Sequence, residues 1–195
     1  MNLKEEIQKA GIIVPKEFWY NIQRYKEILF RWNKTHNLTG VKDEKMLDHF
    51  IFDSIYPLSF LPPVETLLDI GTGAGFPGLI LAMASPEIEV TLAEPLTKRA
   101  SFLQFVKASL DLKNVQIQRK RAEELKPKIY DLITSRAVTD TTLLLKISQN
   151  LRDEKTKLLF YKGEKVFDEV DENLPHKVII TNNRHYLLID KNLKD

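Results

Sequence analysis

The sequence predicts an α/β fold: a mostly parallel, seven-stranded sheet with its last strand antiparallel, preceded by a helical segment. Three observations carry this. From Val64 onward, short apolar runs alternate with helical stretches, the pattern of a parallel sheet with helices on both faces. The first run, Leu67-Leu68-Asp69-Ile70, passes directly into glycines at alternate positions, Gly71, Gly73 and Gly75. The chain then ends on two β-rich runs, 177–181 and 185–189, separated by Asn182-Asn183-Arg184. That separator is a hairpin signal, and it reverses the last strand.

The elements follow in order. From Pro15, the positions Phe18, Ile22, Tyr25, Leu29 and Trp32 lie on one face of an amphipathic helix. Residues 33–40 break that pattern, a second helical stretch covers about 44–56, and Pro62-Pro63 marks a boundary. Residues 1–62 are therefore expected to form an N-terminal helical extension packed on a core of residues 63–195. The aromatic stripe is assigned to packing between these helices and the sheet. Strands are expected at 65–70, 89–94, 115–118, 130–134, 157–161, 177–181 and 185–189. Helices are expected at 77–84, 97–110, 140–151 and 164–172.

Composition narrows the function. A chain of 195 residues accommodates one full domain and a small appendage. It has no cysteine, which excludes disulfides, cysteine metal sites and the thiolate nucleophile of pyrimidine C5 methylation. His36, His49, His176 and His185 are scattered, so no metal is expected; His49 reads as a packing or hydrogen-bonding residue and the others as surface. No apolar run reaches the ~18 residues that would span a membrane. The charged start, Met1-Asn2-Leu3-Lys4-Glu5-Glu6, has no apolar signal region, so a cytoplasmic protein is expected. The net charge of +2 is unevenly spread. Residues 96–130 hold nine basic and three acidic residues, a net of +6, against −4 for the rest. Such a field suits a polyanionic substrate, although a solvated lysine-rich face has the same composition.

The glycine segment carries the chemistry. Gly73, Gly75 and Gly78 satisfy the dinucleotide fingerprint G-x-G-x-x-G. Asp69, Gly71, Gly73 and Gly75 equally satisfy D-x-G-x-G-x-G, the loop of S-adenosylmethionine-binding methyltransferases. Pro77 suits the first turn of the helix that follows. Glu94 closes the next strand 23 residues beyond Gly71, near the spacing of the acid that holds a ribose. Both nicotinamide and methionine cofactors contain that ribose, so Glu94 supports a nucleoside cofactor without choosing one. Seven strands ending in a hairpin match the Rossmann-like methyltransferase layout, which differs from the dinucleotide fold. Ligands in such sheets sit at the carboxyl ends of the strands. The glycine loop, Glu94, the turns after Gln118 and Thr134, and Lys162 are expected on that edge.

Further motifs agree in order along the chain. They are Trp32-Asn33 with Asn37-Leu38-Thr39, His49-Phe50 with Asp53-Ser54, the loop from Asp69 to Gly78, Arg121-Ala122-Glu123, Ser135-Arg136-Ala137-Val138 and Lys162-Gly163. Together they resemble the small-subunit ribosomal RNA methyltransferase G family, also called glucose-inhibited division protein B. Gly40 stands where that family usually has alanine, and the C-terminal part matches more loosely. The resemblance implies a class I fold and methyl transfer from S-adenosylmethionine, leaving S-adenosylhomocysteine, to N7 of a guanine in 16S rRNA near the decoding site. It implies that Gly71, Phe76, Ala122, Glu123 and Arg136 contact the cofactor, beside Asp69, Gly73, Gly75 and Glu94 of the motif reading. The partner is expected to be 16S rRNA or the small ribosomal subunit, met by a monomer through Arg99, Arg121, Arg136, Lys162 and Arg184. The N/D-P-P-Y tetrapeptide of amino-methylating enzymes is absent after Thr134. Guanine N7 already has a lone pair, so no general base is expected, and Arg136 is the positioning candidate. Two other readings stay open at this point: a nicotinamide-dependent oxidoreductase, and an RNA-binding protein with an inactive cofactor loop.

Overall fold

The computed structural model describes residues 2–164, 166–171, 173–181 and 184–191. Three helices, α1 (Leu3–Lys9), α2 (Lys16–His36) and α3 (Glu44–Ile55), precede strand β1 (Thr66–Ile70). Then come α4 (Gly78–Ala84), β2 (Glu89–Ala93), α5 (Thr97–Ser109), β3 (Val115–Gln118) and β4 (Leu132–Arg136). The chain continues through α6 (Thr141–Ile147), β5 (Lys157–Lys162), α7 (Val166–Glu169), β6 (His176–Ile180) and β7 (His185–Ile189). The strands pair in the order β3-β2-β1-β4-β5-β7-β6. The first five run parallel, and β7 is antiparallel to both of its neighbours. Strand order reverses between β1 and β4, which opens a crevice at their carboxyl ends.

The pleat sorts each strand's side chains between two apolar layers. Leu67, Leu159 and Tyr161 join α1–α5 on one face. Leu68, Ile133, Leu158 and Phe160 join Leu144 of α6 and Val166 of α7 on the other. Every residue of α4 is buried. Its all-round apolar sequence suits a helix covered on every side, here by the sheet and by α2 and α3.

Local chemistry explains where the elements depart from expectation. α2 runs on to His36, and Asn33 stays helical. The Asn33 amide bonds Thr39 both ways, at 3.0 and 2.9 Å, and clasps the loop that follows. Asn37 then ends the helix in the left-handed region. β4 starts two residues late, because the Asp131 carboxylate accepts from the Glu65 and Thr66 N–H groups ahead of β1. The expected helix 140–151 divides at Ser148, whose hydroxyl donates back to Leu144 O at 2.7 Å, leaving a 3₁₀ turn at Gln149–Leu151. Pro77 caps α4 from outside rather than opening its first turn. The helix expected at 164–172 covers Val166–Glu169; Lys165 and Glu172, like Asn182 and Asn183 of the hairpin signal, lie outside the described residues.

Candidate active site

The central strand delivers the glycine loop to the crevice. Gly71 and Gly73 have φ of +68° and +61°, a region where a Cβ crowds the following carbonyl. A Cβ on Gly71 would also run into the Val138 side chain. At Gly73 nothing stands within 4 Å of that position, so the loop presents bare backbone to open space. The turn is held internally by Gly75 and Phe76 N–H donating to Thr72 O, both at 2.9 Å. Three buried side chains then fix it from outside. Tyr25 of α2 donates its hydroxyl to Ala74 O at 2.7 Å. Glu94 accepts from Gly73 N–H on one oxygen and Leu96 N–H on the other, each at 2.9 Å. Asp69 accepts from Gly78 N–H and the Thr134 hydroxyl, again at 2.9 Å. Burial pushes the Asp69 carboxyl up to about 6, against the opposing effect of these donors.

The loop forms one wall of a cavity of about 720 Å³, ordinary for a small-molecule site. The segment after α2 adds Leu38 to Gly40, and the end of β2 adds Glu94 to Leu96 with Arg99 of α5. Lys120 to Glu123 and Arg136 to Thr139 complete the ring, with Leu143 and Ile147 of α6.

Arg136 closes β4 and lies against two rings that meet each other edge-on. Its guanidinium carbon lies 4.3 Å from the Phe50 centroid and 4.7 Å from that of Phe76. Burial, then the nearby Arg184, lowers its affinity for its proton to about 10, which leaves it cationic at neutral pH. Its Nη1 is buried and has no hydrogen-bond partner among the described residues. A buried donor without an acceptor is costly, so the site calls for an anionic or carbonyl oxygen there. Nearby, Asp53 is almost fully buried and accepts from Arg184 Nε and Nη2 at 3.0 and 2.9 Å. His49 Nε2 stands 3.9 Å from the other Asp53 oxygen. His176 and His185, read from sequence as surface residues, are half-buried, and only His36 is exposed.

Of the residues singled out from sequence, Gly71, Gly73, Phe76, Glu94, Arg99, Arg121, Ala122, Glu123 and Arg136 all line this one cavity. Asp69 and Gly75 stand behind the wall. Lys162 and Arg184 do not line it either. Lys162 pairs with Glu169 at 2.6 Å and donates to Thr139 O at 3.1 Å, which ties down the loop carrying Val138. Arg184 is held by Asp53. Nothing in the sequence alone gives Phe50, Tyr25 and the 38–40 segment a role in the site. Their only signal was membership of the Asn-Leu-Thr and His-Phe motifs and the aromatic stripe.

A carboxylate that can take two hydroxyls, a glycine floor and a half-buried cation suit a nucleoside bearing a charged tail. The comparisons agree. The family model described as rRNA small subunit methyltransferase G (GidB) matches residues 19–193. A relative from Wolinella succinogenes, named ribosomal RNA small subunit methyltransferase G, is 44% identical over 186 residues, covering 95% of this chain and 96% of its own. One of the same name from Aliarcobacter butzleri is 42% identical over 96% of this chain and 97% of its own. Among solved structures, a putative S-adenosyl-L-methionine-dependent methyltransferase from Methanococcus maripaludis superposes with a TM-score of 0.58 at 14% identity, covering 80% of this chain and 98% of its own. A methyltransferase from Geobacter sulfurreducens reaches 0.59 at 11% identity, over 87% of each chain. At such identity the solved structures speak to the fold alone, but the sequence matches span nearly every element that builds the cavity, and the chain belongs to the rRNA small subunit methyltransferase G family.

Proposed function

We propose that this protein transfers a methyl group from S-adenosylmethionine to N7 of a guanine in 16S rRNA. The observation that carries this reading is the bare glycine cradle facing the Glu94 carboxylate inside a cavity of cofactor size. When bound, S-adenosylmethionine supplies an electrophilic methyl on a sulfonium. This chain's residues bind and orient. Glu94 keeps free lone pairs after its two backbone bonds and accepts from the ribose hydroxyls. The backbone at Ala122 and the Glu123 side chain read the adenine edge. Gly71 admits the amino-acid tail, and Arg136 offers Nη1 to an oxygen of cofactor or RNA.

Guanine N7 attacks through its own lone pair, so no group need remove a proton. Orientation is then the main contribution, worth ~7–11 kcal/mol for well-placed reactants. The only acids lining the cavity among the described residues, Glu94 and Glu123, both have cofactor-binding work. Arg99 and Arg121 at the rim take backbone phosphates. Lys162 and Arg184 support the walls through their ion pairs, and exchange them for phosphate only if RNA competes. Residues 1–62 serve as a helical extension bracing the glycine loop through Tyr25. The enzyme works as a cytoplasmic monomer on the small subunit or its RNA.

The test is transfer of labelled methyl from S-adenosylmethionine to small-subunit RNA, followed by nucleoside mass spectrometry. The expected product is 7-methylguanosine. Cofactor binding without transfer to RNA would leave an RNA-binding protein with an inactive loop, and methylation elsewhere would move the target.

A further inference from the structure

Outside the cavity mouth, the C-terminal end of α2 lies against α5. The aromatic rings between them do not close into a sealed core. Trp32 meets buried Phe102 edge-on at 5.7 Å between centroids, and tilts against Phe105 at 5.5 Å and His36 at 5.2 Å. Phe105 keeps 40% of its surface exposed, His36 is exposed and Trp32 is half-buried.

The charges around these rings are one-sided. Residues 28–36 and 97–109 contain no Asp or Glu. They carry Arg31, Lys34, Lys98, Arg99 and Lys107, and none of these forms an ion pair among the described residues. Earlier on α2 the opposite holds, where Arg24 pairs with Glu27 and Lys26 with Glu44. An ordinary solvated helix face mixes signs in that way. Arg31 also leans over the Phe105 ring, its guanidinium carbon 6.0 Å from the centroid.

Half-open rings bordered by unpaired cations suit one chemistry above others. Unpaired bases stack on aromatic and guanidinium planes while lysine and arginine hold the phosphates. The location fits as well. Arg99 lines the cavity, and Phe105 lies six residues further along the same helix, about 9 Å at 1.5 Å per residue. That is the rise of roughly two to three stacked nucleotides. On the α2 side, Leu38 brings the chain back from Trp32 to the cavity wall.

We infer that Trp32, Phe105 and His36 form a stacking platform for an unpaired base that flanks the target nucleotide, with Arg31 and Lys98 holding its phosphates. The inference rests on RNA being the substrate, and it adds a second contact area outside the methyl-transfer cavity.

The chain has two tryptophans, so Trp19→Phe leaves Trp32 as the only reporter. Titration with octaadenylate should quench its fluorescence to saturation, while polyphosphate of equal charge should not. Phe105→Ala should weaken octaadenylate binding about tenfold at every salt concentration, with the salt slope unchanged. Phe105→Tyr should restore binding. Lys98→Ala should instead flatten the slope by roughly 0.7. Calorimetric S-adenosylmethionine affinity unchanged in Phe105→Ala would separate lost stacking from lost folding; if that variant unfolds, the fluorescence titration alone decides. Absent quenching, equal quenching by polyphosphate, or a Phe105→Ala effect confined to the salt slope would overturn the platform. The titration needs no methyl transfer. Quenching in a protein that methylates no RNA would therefore refute the proposed reaction and keep the platform, and efficient methylation without quenching would do the reverse.

Discussion

Along one side of the cavity, the half-buried glycine loop is tied down by two buried acids, Glu94 in the wall and Asp69 behind it, through backbone donors. Along the other, Lys120 and Arg121 are exposed to solvent just ahead of a short 3₁₀ turn, Ala122–Glu124. The first side is made almost entirely of main chain held in left-handed turns, and its acids satisfy N–H groups before any ligand arrives. The second is made of side-chain charge with little to hold it. A cofactor of constant shape can be met by a fixed cradle. Under the proposed function, an RNA of variable conformation would be met by basic side chains that keep their freedom until binding. Changes on the cradle side should therefore act through geometry and folding, and changes on the rim through long-range charge.

The largest expected effect lies in the cradle's hidden acid. The Asp69 carboxyl titrates near 3.8 unfolded and about 6 folded, so it binds its proton more tightly in the native state. The stability this gives is fully present below pH 3.8 and lost as pH rises through about 6, a span worth roughly 3 kcal/mol. Asp69→Asn cannot titrate. Urea unfolding should show the variant gaining on wild type between pH 4 and 6, with no further change above; a constant difference would mean that Asp69 is not buried as a strained carboxylate.

Glu94→Ala removes the proposed ribose acceptor and strands the Gly73 and Leu96 N–H groups. S-adenosylmethionine affinity, read by calorimetry, should fall by on the order of 1–3 kcal/mol. Gly71→Ala should cost about 1–2 kcal/mol for the left-handed backbone, plus the collision with Val138. Adding Val138→Ala should recover the collision but not the backbone cost, and full recovery would show that φ at this turn is not limiting. The smallest effects belong to the rim. Arg99→Ala with Arg121→Ala should leave cofactor affinity intact and flatten the salt dependence of RNA binding by roughly 0.7 per lost phosphate contact. A cofactor defect in that double variant would erase the distinction between the two sides.

The same contrast explains what was legible in the sequence. Gly71 and Glu94 could be placed because a left-handed turn after a strand demands glycine, and the next strand's length fixes where its acid falls. The strands Val115–Gln118 and His185–Ile189 have the bounds expected from the alternation of the first and the apolar run of the second. Pairing across the chain left no local trace. Tyr25 reaches Ala74 across 49 positions, and Arg184 reaches Asp53 across 131. Sequence shows that Lys162 and Arg184 are cations near one edge, but not that each already has an acid. Arg136 stands out by its motif, whereas the Phe50 ring beneath it lies on a helix whose aromatic residues read as ordinary packing.

The central claim is that this cavity orients a nucleophile that needs no base, and a single-turnover pH–rate profile tests it most directly. With S-adenosylmethionine and small-subunit RNA saturating, methylation should be nearly flat from mildly acidic to mildly basic pH. Glu123→Gln, which removes the exposed acid of the cavity, should alter cofactor affinity and leave the profile flat. A general base typically contributes ~10²–10⁴-fold and imprints its titration on the rate. A rate that climbs tenfold per pH unit through a carboxylate-like or histidine-like range, and loses that step in Glu123→Gln or His49→Ala, would contradict N7 as the target and point to a nitrogen that must first give up a proton.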